Sequence, residues 1–299
     1  MRISIPKTLV GVLCMTLLIF TKVVADDLKR VDASGTRFAY VEQGRGQPVV
    51  FVHGSVADYR IWDAQMTPFS AHYRVVAYSR RYHYPNPSAD ATAAANSARH
   101  AADLADFIDA LKIAPAHVVG HSSGGAVAAY LVRDRPELVR SVVLAEPATF
   151  GVIAQHPEAK ALADERGAAM APVKQAIEAS NNDEAVRKYL DYWLAPRGFA
   201  GLSASDRAVV LANAGSLPPE FRAAAPAKPF NCEDAGKIEK PTLLLGGGAT
   251  IRVFTVVLDE FAKCLPKAER VALAGTAHGV QLENPKAFNE AVLKFLAKH

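Results

Sequence analysis

The chain has 299 residues and a formal net charge of +4, but Arg2, Lys7 and Lys22 stand in a first stretch of 25 residues that holds no acid. The remainder is therefore near neutrality, at about +1, and its charge makes no case for a nucleic-acid partner. Repeats and low-complexity tracts are absent, and the length suits one large domain.

Residues 1–25 read as a leader. Arg2 and Lys7 open it, residues 8–20 are apolar, and Val23-Val24-Ala25 offers a small-residue cleavage site before Asp26-Asp27. This is the layout of a secretory signal peptide. An uncleaved anchor is the other reading, but the run is shorter than the ~20 residues a spanning helix needs. The expectation is an exported, periplasmic or secreted protein of 274 residues with no stable membrane insertion. Of the three cysteines, Cys14 lies in the leader, and Cys232 and Cys264 remain as either a disulfide or two free thiols.

Next in chain order, residues 37–44 alternate like an edge strand, and residues 48–52 form a β-branched run of the kind buried on both faces. Helical spacing follows over 58–71, and a strand is expected over 73–78, ahead of a polar loop through Pro87. Residues 97–112 read as a helix with Ala101, Leu104, Ala105, Ile108 and Leu111 inward and Asp103, Asp106 and Asp109 outward. Strands are expected over 116–119 and 139–145, with an Ala-rich helix over 126–132 between them. The alternation then stops: residues 150–230 read as a helical insertion, with helices over 157–171, 183–194 and 205–214 and breakers at Pro172, Pro196, Gly198 and Pro218-Pro219. It resumes with a strand over 241–245, a helix over 254–265, a strand over 269–274 and a last helix over 285–297. Strands alternating with helices imply an α/β fold with a mostly parallel central sheet flanked by helices. The domain reading is a core of 26–149 and 231–299, interrupted by a helical cap at 150–230.

The chain is organised around Gly120-His121-Ser122-Ser123-Gly124-Gly125, which lies between a buried strand and an apolar helix. A G-x-S-x-G pattern is weak by itself; the strand–turn–helix context makes it a nucleophile elbow. Glycines two positions either side of Ser122 suit a turn with no room for a Cβ. A serine hydroxyl needs a base within reach and a group to orient that base. The candidate base is His278, in the loop after the last strand, because parallel strands bring their C-terminal ends to one rim. The other histidines read as packing residues, with His83 the one in a loop facing the site.

On His53-Gly54, Gly120 to Gly125, and His278 followed by Leu282-Glu283-Asn284-Pro285, the chain resembles the α/β-hydrolase-fold superfamily over nearly all of its length after the leader. The resemblance implies an oxyanion hole from the backbone N–H groups of Ser55 and Ser123, and a structural His121. It also implies a triad acid, usually in the loop after the strand expected at 241–245. That loop, Gly246-Gly247-Gly248-Ala249-Thr250-Ile251, has no carboxylate, and Asp259 falls inside the next helix. Some members place the acid at the end of the strand after the elbow helix, which here is Glu146. A carboxylate ending a buried strand is costly unless paired, and pairing with His278 answers that cost; the other reading ties it to backbone amides or an arginine.

The resulting expectation is a serine hydrolase that cleaves a carboxylic ester of a small or medium substrate through an acyl-enzyme on Ser122, without metal or organic cofactor. Hydrolysis of a C–C bond next to a carbonyl is the alternative enzyme reading; a non-catalytic ligand-binding protein of the same fold is the alternative from another class. Dehalogenation and epoxide opening are disfavoured by the resemblance, because members performing them carry aspartate where Ser122 stands. Tyr82, Tyr84, Phe150, Tyr192 and Trp193 are candidate pocket aromatics, with ordinary packing as their other reading.

Overall fold

A computed structural model describes residues 28–299 except 89, 91 and 266, so the leader read over 1–25 lies outside the described residues. The strands are β1 (Lys29–Ala33), β2 (Thr36–Gln43), β3 (Pro48–Val52), β4 (Arg74–Tyr78), β5 (Ala116–His121), β6 (Val139–Ala145), β7 (Thr242–Gly247) and β8 (Glu269–Leu273). They form one sheet in the order β1-β2-β4-β3-β5-β6-β7-β8. The first two ladders, β1 with β2 and β2 with β4, are antiparallel, and all the others are parallel. Strand β1 was not expected; it pairs with β2 across Ser34-Gly35, both at positive φ, the geometry of a two-residue hairpin turn.

The helices are α1 (Asp63–Ser70), α2 (Ser97–Leu111), α3 (Ser123–Asp134), α4 (Ala159–Glu178), α5 (Asn182–Trp193), α6 (Ala204–Ala212), α7 (Leu217–Arg222), α8 (Cys232–Gly236), α9 (Arg252–Cys264), α10 (Val280–Glu283) and α11 (Pro285–Leu296). Both faces of the sheet are covered. In β3, Val50 and Val52 join the apolar cluster that includes α2, α3 and α9, while Val49 and Phe51 join the cluster of α1 and α11. The period of two thus serves two cores at once, which is why these strands read as unbroken apolar runs. Three alanines of α3 (126, 128, 129) and glycines 124 and 125 are buried; small side chains let this helix sit close to the sheet.

Residues 150–230, between β6 and β7, contain no strand and carry α4 to α7. Helix α4 does not stop at Pro172 as expected but continues to Glu178. A mid-helix proline costs about 3 kcal/mol, and burial of Leu162, Met170, Val173 and Ala176 along one stripe offsets it. Pro218-Pro219 starts α7 instead of breaking a helix, because first-turn N–H groups have no intrahelical acceptor. The helical pattern read over 58–71 splits into a 3₁₀ turn at Tyr59–Trp62, capped by Asp58, and α1.

Asp103 is a correction to the outward face read for α2. It is buried, and both its oxygens take the Arg81 guanidinium at 2.7 Å. Cys232 and Cys264 form a disulfide with Cα atoms 5.3 Å apart, tying the start of α8 to the end of α9. Closing a loop with a sequence separation of 32 stabilises the fold by about 3–4 kcal/mol in the chain-entropy account. Among the described residues, no helix is long and apolar enough to cross a membrane.

Candidate active site

All the parallel strands deliver their following loops to one rim, the usual place for ligands in such sheets. Ser122 comes one residue after β5, at φ 57° and ψ −122°. A serine in that region is strained, and the neighbours enforce it. A Cβ on Gly120 would lie 2.3 Å from the Gly124 carbonyl oxygen, and one on Gly124 2.2 Å from that of Val52. Ser122 N–H donates to Ala145 O at 2.9 Å, and its carbonyl accepts from Ala126 and Ala148. The backbone is thereby held while Oγ stays free to face His278.

His278 follows β8 and is buried. Its Nε2 lies 2.9 Å from Ser122 Oγ, and its Nδ1 lies 3.1 Å from Glu146 Oε2. Phe254 stacks on the ring at 4.0 Å between centroids. Glu283 accepts from the N–H groups of Ala277 and Gly279 at 3.0 and 3.1 Å and so shapes the loop that carries the histidine. His121 is buried behind it, with Nε2 donating to the His278 carbonyl at 2.8 Å and Nδ1 accepting from Gln281 at 3.2 Å.

Glu146 directly follows β6 at φ 48°, fully buried. Its Oε1 accepts from the Gly247 N–H at 2.8 Å, and its Oε2 from the Thr250 hydroxyl at 2.6 Å as well as from His278. The Gly-rich loop after β7 therefore supplies donors to a carboxylate that arrives from β6. Gly247 has room for nothing larger, since a Cβ there would sit 2.3 Å from Ala277 O. Burial pushes the His278 ring down to about 3, and pushes Glu146 up to about 7 against the Thr250 and Gly247 donors. Both shifts favour uncharged forms, and the proton between the two groups belongs to the pair. Asp259 is elsewhere, half exposed and bonded to Arg270.

Gly54 and Ser55 come from the loop after β3, and Ser123 opens α3. A Cβ on Gly54 would stand 3.1 Å from Ser122 Cβ, so this loop lies directly against the elbow. The Ser55 hydroxyl donates to Ser123 Oγ at 3.0 Å. A cavity of about 50 Å³ opens over Ser122, walled by Ala57, Ile61, Tyr189, Leu190, Trp193 and Val210 among others. Of the expected aromatics, Trp193 lines it. Phe150 stacks against Trp193 from a neighbouring cleft. Tyr192 bonds Glu165, and Tyr84 is exposed under the Arg60 guanidinium; neither these nor Tyr82 lines the cavity. Tyr189 and Leu190 were missed, although Val186, Leu190 and Trp193 follow helical spacing on α5.

His83 does not face this cavity; it is buried beside Arg80, 3.6 Å from Glu220 of α7. Burial pushes the His83 ring below its ordinary range, the neighbouring Arg80 charge adding to the effect. At Glu220 burial acts upward, and the His83, Arg80 and Ser55 contacts outweigh it to hold the carboxyl low. Among the described residues, no group of three or more His, Cys, Asp or Glu side chains could hold a metal ion.

A family model described as the alpha/beta hydrolase family matches residues 49–291. The dihydrolipoyllysine-residue acetyltransferase component of an acetoin cleaving system from Cupriavidus necator is 40% identical over 121 residues, 40% of this chain and 32% of that protein. The chain thus aligns with about a third of that relative's length. An (E)-2-((N-methylformamido)methylene)succinate hydrolase from Acinetobacter baylyi is 23% identical over 90% of this chain and 97% of its own. Among solved structures, Est816, described as an N-acyl homoserine lactone degrading enzyme, superposes with a TM-score of 0.69 at 25% identity, covering 89% of this chain and 100% of that one. With its sheet order, its strand-end serine and a family match across most of its length, the chain belongs to the alpha/beta hydrolase family.

Proposed function

We propose that the protein is a serine hydrolase acting on a carboxylic ester or lactone with a small acyl part. The observation that carries this reading is one imidazole bonded at Nε2 to a strained strand-end serine and at Nδ1 to a buried carboxylate. Ser122 Oγ attacks the carbonyl carbon while His278 Nε2 takes its proton, and Glu146 holds the ring and stabilises the imidazolium. The Ser55 and Ser123 N–H groups receive the oxyanion; each such donor is typically worth about 3 kcal/mol in the transition state. His278 returns the proton to the leaving oxygen, and water clears the acyl-enzyme by the reverse sequence. The tight apolar cavity over Ser122 supports a small acyl group, and the ester-bond reading draws on the lactone-degrading activity named for Est816. The Cys232–Cys264 disulfide supports the reading of the protein as exported, since such bonds persist in oxidising compartments.

The test is a fluorophosphonate probe followed by a panel of esters and lactones graded by acyl length. Labelling at Ser122, absent in Ser122→Ala, together with turnover favouring short acyl groups, is the expected result. Ser122→Ala stays folded and loses at least about 10⁴-fold in kcat. Labelling without turnover of any ester or lactone removes the ester reading in favour of C–C bond hydrolysis or of a binding protein that keeps the activated serine; no labelling removes the mechanism.

A further inference from the structure

Arg80 lies two residues beyond β4 and is 1% exposed, among the largest buried side chains. Burying a guanidinium is expensive unless its donors are met; Nε is buried without a hydrogen-bond partner, and the contacts converge on Nη2. Nη2 donates to Gly54 O at 2.9 Å, to Ser123 Oγ at 3.1 Å and to Glu220 Oε1 at 3.2 Å. The Arg80 backbone N–H donates to His53 Nε2 at 2.9 Å, and His53 Nδ1–H donates in turn to Gly54 O at 2.8 Å. The Gly54 carbonyl therefore receives two donors, one from the Arg80 side chain and one from a histidine ring set by the Arg80 backbone N–H. That carbonyl belongs to the peptide whose N–H is the Ser55 amide. The Ser123 hydroxyl, held by the same guanidinium, also accepts from Ser55 Oγ at 3.0 Å.

We propose that Arg80 is a positioning residue for the oxyanion-binding amides, and that Glu220 on α7 makes this positioning depend on the seating of residues 150–230 over the core. It rests on the oxyanion role given above to Ser55 and Ser123. The physical action is twofold. A cation bonded to the Gly54 carbonyl fixes the plane of the Gly54–Ser55 peptide, which aims its N–H. It also draws electron density from that peptide, and polarised hydrogen-bond chains donate more strongly. Glu220 balances the buried charge and comes from the region that walls the cavity over Ser122, so a displaced α7 leaves Arg80 without its counter-ion.

The experiment compares wild type, Arg80→Lys, Glu220→Gln and the double variant. It follows fluorophosphonate labelling of Ser122, kcat and KM on an ester the wild type turns over, and thermal melting. Arg80→Lys keeps the charge but is too short to put its nitrogen where Nη2 meets Gly54 O, Ser123 Oγ and Glu220 together; kcat and labelling rate are expected to fall together by roughly 30- to 100-fold, since the oxyanion donor is weakened rather than deleted, with KM within about threefold. Glu220→Gln is expected to lower kcat by about tenfold, and the double variant to be little worse than Arg80→Lys alone, as for members of one unit. A folded Arg80→Lys labelled at the wild-type rate, or changed in KM alone, overturns the proposal. Should Arg80→Lys not fold, Glu220→Gln decides by the same readouts. A wild type that is not labelled removes the hydrolase reading and this proposal with it, whereas a labelled wild type with an equally labelled folded Arg80→Lys removes the proposal only.

Discussion

In the sheet, the residues gathered around Ser122 stand one to five positions past a strand end: Gly54 after β3, Arg80 after β4, Glu146 after β6, Thr250 after β7 and His278 after β8. In residues 150–230 the side chains that reach the same cavity, Tyr189, Trp193 and Val210, lie on helices α5 and α6. The first group is placed by ladder hydrogen bonds and by tight turns at Ser122 and Glu146, both at positive φ. The second is placed by apolar packing, such as Trp193 against Phe150 and Phe254. Hydrogen-bonded strand ends define positions closely enough for proton transfer, while packed helices define only the volume and polarity of a wall. Changes in the core are therefore expected to act on kcat, and changes in the cap on which substrate is preferred.

The largest expected effect breaks the core side. Glu146→Gln keeps the shape but presents the wrong hydrogen-bonding group to His278 Nδ1, so kcat is expected to fall by as much as ~10⁴. Asp259→Asn, at a surface pair with Arg270, is expected to change kcat by less than about twofold. Steady-state kinetics on the two variants decides between them; equal losses would refute the assignment of Glu146.

The second expectation uses acid. Burial pushes His53, His83, His100, His117, His121 and His278 below the ordinary value of 6.5, with His117 brought to about 4 and His121 and His278 to about 3. All six lie in the core segments. Below pH 6.5 the unfolded chain binds these protons and the folded one resists them, so stability is present above 6.5 and lost as pH falls through the folded values. Glu146, raised to about 7, works in the opposite direction as one group against six. The melting temperature is expected to decline steadily from pH 6.5 to about 4, and a flat profile there would contradict the burial of these rings.

The smallest effect sharpens the cap side. Val210 is buried on α6 and lines the cavity. Val210→Ala enlarges the wall and is expected to move the preferred acyl chain one or two carbons longer. On the shortest ester kcat should stay within about threefold, the stability cost being about 1–2 kcal/mol. A loss of kcat on every ester without a change of preference would mean that the helical wall also places reacting atoms.

Much of the core was legible from the chain alone because its signals are local. Unbroken β-branched runs mark strands buried twice, Gly120 and Gly124 mark a turn with no space for Cβ, and strand order carries Ser122, Glu146 and His278 to one rim. Reading Glu146 as the partner of His278 rested on the resemblance, which offers that strand end as a second place for the acid, together with the missing carboxylate after β7 and the cost of burying one after β6. What tertiary structure decided are contacts between residues far apart in the chain, none of which leaves a periodic trace. Gly247 and Thr250 hold a carboxylate that comes from another strand, Arg81 draws Asp103 inward from what reads as a polar helix face, and Arg80 meets Glu220 across 140 positions. Cys232 and Cys264 come together only because α8 and α9 pack side by side, and helix α4 runs through Pro172 because its buried stripe outweighs one lost hydrogen bond. Local pattern sets which elements form and in what order; which polar groups can afford burial depends on partners that only the closed fold supplies.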